Sequence, residues 1–204
     1  MAVIHEATLT PGKLDAISAW LPGQPWSGVF TGATVEQVGR FRFDDPDGEV
    51  GVETYLVRVG GGPVLHVPLT YRGAPLDGAQ AFLVTEMEHS VLGHRWVYDA
   101  VGDPVYADVL RRAIATGGHE AELLRAAGPG TVEKEGRASG AGSDHASPTV
   151  TRVGVRTDGT VTTITTDHGT LAVLRVLGDE LPAGATLTAG WGADGSAVVA
   201  VLLP

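Results

Sequence analysis

The sequence predicts an α+β fold, in which an antiparallel sheet packs on helices and is followed by a small antiparallel β-rich C-terminal module. Three observations lead to this class. Between residues 35 and 71, apolar and polar residues alternate in three stretches of strand length that are separated by turn residues. Thr10-Pro11 and Asp103-Pro104 each begin a segment with helical apolar spacing. From residue 149 onwards, short β-branched runs alternate with glycine-containing turns.

The first half begins with a strand-like segment and a helix for which Thr10 is the expected N-cap. Pro22 ends that helix, and the following loop is too rich in Gly and Pro to continue any regular element. Three strands of an antiparallel meander are then expected at residues 35–43, 50–59 and 65–71.

Two short strands are expected after the meander, at residues 82–84 and 96–99. Asp103 is the expected N-cap of the next helix, since Pro104 follows it and suits the first helical position. A second helical piece is expected at residues 120–127 because Gly128-Pro129 would end it.

The composition changes after this helical piece. Residues 130–148 contain a single β-branched apolar residue and no aromatic one, so they cannot bury enough surface to offset their ordering entropy. We therefore expect three parts: a cap-like α+β domain at 1–128, a flexible linker at 129–148 and a small antiparallel β module at 149–204. In the module, Asp158-Gly159 is a strong hairpin signal.

Charge and cysteine content exclude several classes of function. The 24 acidic and 14 basic residues give a formal charge of −10, which disfavours nucleic acid and anionic membranes as partners. The absence of cysteine excludes disulfides and thiolate metal sites. The N-terminal residues lack a basic segment followed by an apolar run, so we expect a cytoplasmic protein.

Four segments of the first half carry a family resemblance: residues 3–22, residues 68–72 (PLTYR), residues 92–99, and Asp103-Pro104 at a helix start. Together they resemble the N-terminal cap domain of actinobacterial maltokinases. The resemblance implies a cystatin-like cap fold. It also implies a place near trehalose, maltose 1-phosphate and glycogen metabolism in an actinobacterium.

The residues with which such a kinase transfers phosphate are missing. None of the seven histidines is followed two places later by Asp, so no HxDxxxxN loop is present. Lys13 and Lys134 are the only lysines, and neither follows the GxxxxGK[ST] pattern. No serine lies in a GxSxG motif. We therefore expect no catalytic residues, no cofactor and no enzymatic activity.

The C-terminal module has two interpretations, a remnant of a kinase small lobe or an unrelated β module. By position it corresponds to the start of such a lobe. The resemblance then places Arg175, in the segment LAVLRV, where an ATP-contacting Lys is expected. Arg and Lys are not equivalent in that role.

Aromatic residues near the end of the first helix are the candidate contacts for a partner protein or a saccharide. Trp20, Pro25 and Trp26 lie close together in sequence and beside turn residues. Trp26 is the best candidate for an exposed ring, although anchoring of its own loop is the simpler role.

Acidic residues and histidines form the densest group of candidate metal ligands, namely Glu86, Glu88, His89 and His94. The spacing of His89 and His94 does not place them on one helical face, so a solvated turn is the simpler interpretation and a metal site the alternative. Asp99 is expected to brace a turn. The arginines Arg72, Arg95, Arg111 and Arg112 are expected to pair with local carboxylates, with binding of a phosphorylated sugar as the alternative.

The function that follows is that of a non-catalytic binding or regulatory protein. The expected partner is a protein of α-glucan or trehalose metabolism, or a second copy of the chain. A carbohydrate-binding module is the first alternative, and a divergent sugar phosphotransferase is the last.

Overall fold

The computed structural model describes residues 2–4, 7–125 and 134–204 and shows an α+β architecture rich in β-structure. In these residues the α-helices are α1 (Lys13–Trp20) and α2 (Pro104–Thr116), and the one-turn 3-10 helices are Leu21–Gly23, Gln80–Phe82 and Ala100–Gly102. The short strands β1 (Ala2–Ile4) and β8 (Leu123–Arg125) pair in parallel. None of the helices in the described ranges is long and apolar enough to cross a membrane.

The first sheet lies within residues 9–99 and confirms the predicted meander. Its strands are β2 (Leu9–Thr10), β3 (Val35–Phe43), β4 (Gly51–Val59), β5 (Val64–Arg72), β6 (Leu83–His89) and β7 (Gly93–Asp99). They are antiparallel in the order β2-β6-β7-β5-β4-β3. The turn between β3 and β4 forms because the Asp45 carboxylate accepts hydrogen bonds from the backbone amides of Asp47 and Val50, at 3.1 and 2.8 Å.

The second sheet contains the strands predicted after residue 149 and one strand that was not predicted. Its strands are β9 (Gly136–Gly140), β10 (Val153–Asp158), β11 (Val161–Thr166), β12 (Gly169–Leu174), β13 (Ala185–Trp191) and β14 (Gly195–Leu202). They are antiparallel in the order β10-β11-β12-β14-β13-β9. The turn between β10 and β11 has the expected glycine, since Gly159 has a φ of +55°.

Strand β9 corrects the prediction of a flexible linker at 129–148. Gly136–Gly140 pair with β13, and Ala138 is buried. The glycines that suggested a linker instead permit close packing on α2: a Cβ on Gly140 would lie 1.8 Å from the Ala113 carbonyl oxygen. The part of the predicted linker at 129–133 lies outside the described residues.

Two apolar layers cover the two faces of the first sheet. On one face, α1 and the loop after it pack on the sheet through Ile17, Leu21 and Trp26. On the other face, one hydrophobic cluster joins residues of the first sheet, α2 and the second sheet. Members of this cluster include Phe41, Leu56, Leu110, Ile114, Leu171 and Val173. The predicted domains at 1–128 and 149–204 therefore share a core cluster.

Backbone hydrogen bonds also join the two sheets. The chain that leaves β12 runs beside the first half of β5, where the His66 amide donates to the Arg175 carbonyl at 2.9 Å. The Leu177 amide donates to the Val64 carbonyl at 2.8 Å. This pairing fixes Arg175 at the junction of the two halves.

The helix starts differ in their agreement with the prediction. Asp103 is the N-cap of α2, as predicted, and its carboxylate accepts from the Val105 amide at 3.0 Å. The predicted N-cap of α1 is wrong, because Thr10 lies in β2 opposite Glu88 and the N-cap is Gly12. The helical piece predicted at 120–127 is corrected over Leu123–Arg125, which form β8; residues 126–127 lie outside the described part of the chain.

Candidate binding site between the Trp26 loop and the second sheet

The candidate site is a pocket of about 260 Å³ between the loop that follows α1 and the turn that joins β10 to β11. Aromatic and polar side chains share its wall. The lining residues are Trp20, Gln24, Pro25, Trp26, Ala81, Phe82, Asp99, Val101, Thr157 and Gly159. Both halves of the chain therefore contribute to it.

The three residues predicted as partner or sugar contacts all line this pocket. Trp20 and Trp26 meet edge to face, with ring centroids 5.8 Å apart and planes at 63°. Trp20 is partly buried and Pro25 is exposed, so both present surface at the site. Their role in binding stays a prediction.

Trp26 is not the exposed ring for which it was the best candidate, since only 7% of the residue is accessible, and this burial agrees with the simpler role of anchoring its own loop. Ser27 folds the loop inwards: its hydroxyl donates to the Leu21 carbonyl at 2.6 Å and accepts from the Val29 amide at 3.1 Å. The Trp26 ring then packs with α1 and lies 4.9 Å from the Arg175 guanidinium carbon. Trp26 is thus a core residue with one edge at the pocket.

A buried ion pair lies beneath the Trp26 ring. Arg175 is 1% exposed, and its Nη2 donates to Oδ2 of Asp99 while its Nε donates to the Thr162 hydroxyl at 3.0 Å. The prediction that Asp99 braces a turn is therefore corrected. Asp99 ends β7 and joins the first sheet to the segment after β12.

Three polar atoms around this pair have no hydrogen-bond partner although they are buried. They are Asp99 Oδ1, Arg175 Nη1 and Tyr106 Oη. Burial raises the pKa of Tyr106, whereas the charge of Arg175 lowers it and that of Asp99 raises it. The phenol is therefore protonated at neutral pH, and the three atoms offer an acceptor, a donor and a hydroxyl group.

His66 completes what we call the junction cluster, formed by His66, Asp99 and Arg175. Burial lowers the pKa of His66 to about 3; the hydrogen bond to the Leu174 carbonyl opposes this shift and the charge of Arg175 adds to it. The Nδ1 atom lies 2.8 Å from that carbonyl oxygen, so the neutral ring carries its proton on Nδ1. At neutral pH the His66 ring is therefore uncharged beside the ion pair of Arg175 and Asp99.

The second polar group, which we call the hairpin cluster, consists of Glu86, Glu88 and His94 on β6 and β7. His94 Nδ1 lies 2.6 Å from Glu88 Oε1, and Nε2 lies 2.8 Å from Glu86 Oε2. Hydrogen bonds to Glu88 and then Glu86 raise the pKa of this exposed histidine. Within the described ranges, no group of three or more His, Asp and Glu residues is arranged to hold a metal ion.

His89, the remaining candidate metal ligand, binds its own turn. Its Nδ1 accepts hydrogen bonds from the backbone amides of Val91 and Leu92, at 3.2 and 3.1 Å. This geometry agrees with the solvated-turn interpretation.

The four arginines considered as phosphate ligands all donate hydrogen bonds to other groups of the protein. Arg72 binds Asp103 with two hydrogen bonds, at 2.6 and 2.7 Å, and Arg112 binds Asp108 at 2.8 Å, as predicted. The expected carboxylate partners are wrong for the other two. Arg95 donates to the Leu92 carbonyl, and Arg111 donates to the His168 carbonyl and the Ser147 hydroxyl.

The fold defines a small α+β domain joined to a second sheet. Residues 20–103 match the family model of the maltokinase N-terminal cap domain. The match runs from the end of α1 through β7 to the N-cap of α2, so the chain contains a maltokinase cap-like domain. A comparison with curated proteins gave no match.

The sequence analysis did not predict the buried ion pair of Arg175 with Asp99. A signal was present, because a single Arg in the apolar segment LAVLRV requires a buried partner if the strand is covered on both faces. The position of that partner, 76 residues earlier, required the fold.

Proposed function

We propose that this chain is a non-catalytic binding or regulatory protein of maltose 1-phosphate, trehalose and glycogen metabolism. The cap-like domain at residues 20–103 supports the assignment to this metabolism. We propose a cystatin-like arrangement for that domain, a cytoplasmic location, and an actinobacterial source.

The main observation in support of a non-catalytic role is the environment of Arg175. The maltokinase resemblance places this residue where a kinase small lobe holds its ATP-contacting lysine. Here the guanidinium is buried and bound to Asp99 and Thr162. Moving it to a nucleotide phosphate would leave Asp99 buried and unpaired, which is strongly unfavourable.

The proposed partner is an enzyme of the same metabolism, with self-association as the alternative. The proposed contact surface is the rim of the pocket at Trp20 and Pro25, together with Phe30, which follows them in the sequence and is 69% exposed. Exposed aromatic side chains of this kind are enriched at protein interfaces.

The first test measures phosphate transfer by the purified chain. With ATP, Mg²⁺ and maltose, trehalose or glucosamine, we expect product formation no higher than in a reaction without protein. Turnover that survives repurification and is lost in a point variant would overturn the non-catalytic role.

The second test measures partner capture from the native cell by quantitative mass spectrometry. We expect enzymes of α-glucan and trehalose metabolism to be enriched on the wild-type chain and lost on Phe30→Asp. Val198→Asp is the matched control, since Val198 is also an exposed apolar residue but lies on the second sheet. Equal capture by both variants would contradict the proposed surface.

A second candidate function is saccharide binding. The observation that favours it is the aromatic pocket, whose lining also contains the side-chain amide of Gln24.

A further inference from the structure

We infer that the pocket between the Trp26 loop and the β10–β11 turn binds a single neutral sugar ring, held by its aromatic wall and by the side-chain amide of Gln24. This inference rests on the saccharide-binding form of the proposed function. It names the ligand class and the residues that would recognise it.

The size of the pocket selects a small ligand. Its volume of about 260 Å³ is just below the ~300–1,000 Å³ of pockets that hold drug-sized molecules. At ~30 Å³ per water molecule, the space equals roughly nine waters, which suits one pyranose ring inside the pocket.

The aromatic wall suits the apolar C–H faces of a sugar. Trp20 and Phe82 are partly buried, so each presents surface at the pocket. Because the Trp20 and Trp26 rings meet at 63°, they form a corner rather than a parallel stack. Sugar C–H groups would therefore pack mainly against Trp20 and Phe82, beside the accessible edge of Trp26.

The side-chain amide of Gln24 provides polar recognition. Gln24 lines the pocket, and its amide can both donate to and accept from sugar hydroxyls. Asp99 also lines the pocket, but its Oδ2 is bound to Arg175 and its Oδ1 is enclosed by the protein, so Gln24 is the polar contact that the test addresses.

The charges favour a neutral ligand over a phosphorylated one. Arg175 neutralises Asp99 but does not itself line the pocket, and none of the lining residues is cationic. A phosphate group would meet no cationic side chain in the lining, on a chain with a formal charge of −10. Methyl α-glucoside is therefore a suitable probe and glucose 1-phosphate an unsuitable one.

The four tryptophans allow a test on the wild-type chain, because each contributes one indole N–H signal to an NMR spectrum. Only Trp20 and Trp26 line the pocket; Trp96 and Trp191 do not. On titration with methyl α-glucoside to about 50 mM, well above a weak Kd of ~1 mM, we expect saturable shifts of the Trp20 and Trp26 signals alone. Glucose 1-phosphate should cause smaller shifts at the same concentration.

A pair of glutamine variants tests the polar contact. Gln24→Ala should weaken binding of methyl α-glucoside about fivefold, as expected for one lost hydrogen bond. Gln80→Ala is the matched control, since Gln80 is exposed and does not line the pocket, and it should leave the affinity unchanged.

Three results would overturn the inference. Unshifted indole signals at the highest concentration would mean that the pocket does not bind this sugar. Equal shifts of all four signals would indicate non-specific contact, and tighter binding of glucose 1-phosphate would indicate an anion site. None of these results depends on partner capture or ATP turnover, so the wider proposed function can fail or succeed independently.

Discussion

The junction cluster and the hairpin cluster contain similar groups in opposite surroundings. Each contains a histidine and at least one carboxylate side chain. The junction cluster has His66 and Asp99, and the hairpin cluster has His94, Glu86 and Glu88. In the junction cluster the histidine is 1% exposed and its pKa falls to about 3. In the hairpin cluster the histidine is solvent-accessible and its pKa rises.

The difference shows that burial, rather than residue type, decides what these groups do. At the hairpin, water screens the ion pairs, so their contribution to folding is small. At the junction, loss of either charge would leave the other without compensation inside the protein. We therefore expect substitutions in the junction cluster to lower the free energy of unfolding. Substitutions in the hairpin cluster should change only the pKa of His94.

The largest expected effect is that of Arg175→Met, which removes the charge but keeps much of the side-chain stem beneath Trp26. Because Asp99 then stays buried and unpaired, we expect the free energy of unfolding to fall by about 3–5 kcal/mol. Urea denaturation monitored by circular dichroism measures this loss. Arg156→Met is the control, because Arg156 forms an exposed ion pair on the second sheet and should contribute less than ~1 kcal/mol.

A double variant separates the charge effect from lost packing. Asp99→Leu combined with Arg175→Met removes both charges, so much of the stability should return. If the double variant is as unstable as the sum of the two single variants, the pair does not couple and the comparison fails.

The next expected effect is a loss of stability on acidification through His66. The folded pKa of about 3 lies below the ordinary value of about 6.5, so between these values the unfolded chain binds a proton that the folded chain excludes. The stability present above pH 6.5 is therefore lost as the pH falls towards 3. From pH 7 to pH 4 this histidine should account for about 3 kcal/mol.

His66→Asn isolates that contribution, because its side-chain amide can still donate to the Leu174 carbonyl but does not titrate. Urea unfolding at pH 7, 5.5 and 4 should show a flatter pH dependence in this variant than in the wild type. Parallel curves for the two proteins would contradict the assignment.

The first sheet was largely predictable because local rules determine it. The alternation of apolar and polar residues predicted β3, β4 and β5. The turn at Asp45 has the side-chain hydrogen bonds that such turns form. Asp103 with Pro104 also specified the start of α2. Each of these signals acts over a few residues, so no tertiary information was needed.

Features that depend on distant partners could not be predicted in this way. The segment at 136–140 has linker composition, yet it forms β9 because β13 and α2 lie beside it. Trp26 was the best candidate for an exposed ring, but the Ser27 hydrogen bond turns it inwards. The pocket itself joins residues about 130 positions apart, such as Trp26 and Thr157, which periodicity cannot reveal.

The smallest expected effect concerns the hairpin cluster, where the pKa of His94 should lie above the ordinary histidine value. Because the hydrogen bond to Glu88 is the larger cause, Glu88→Gln should lower this pKa more than Glu86→Gln does. NMR titration of the imidazole Cε1 proton measures both shifts. Since these side chains are exposed, neither variant should move the urea midpoint. A large loss of stability in either would show that the hairpin cluster is as important to folding as the junction cluster.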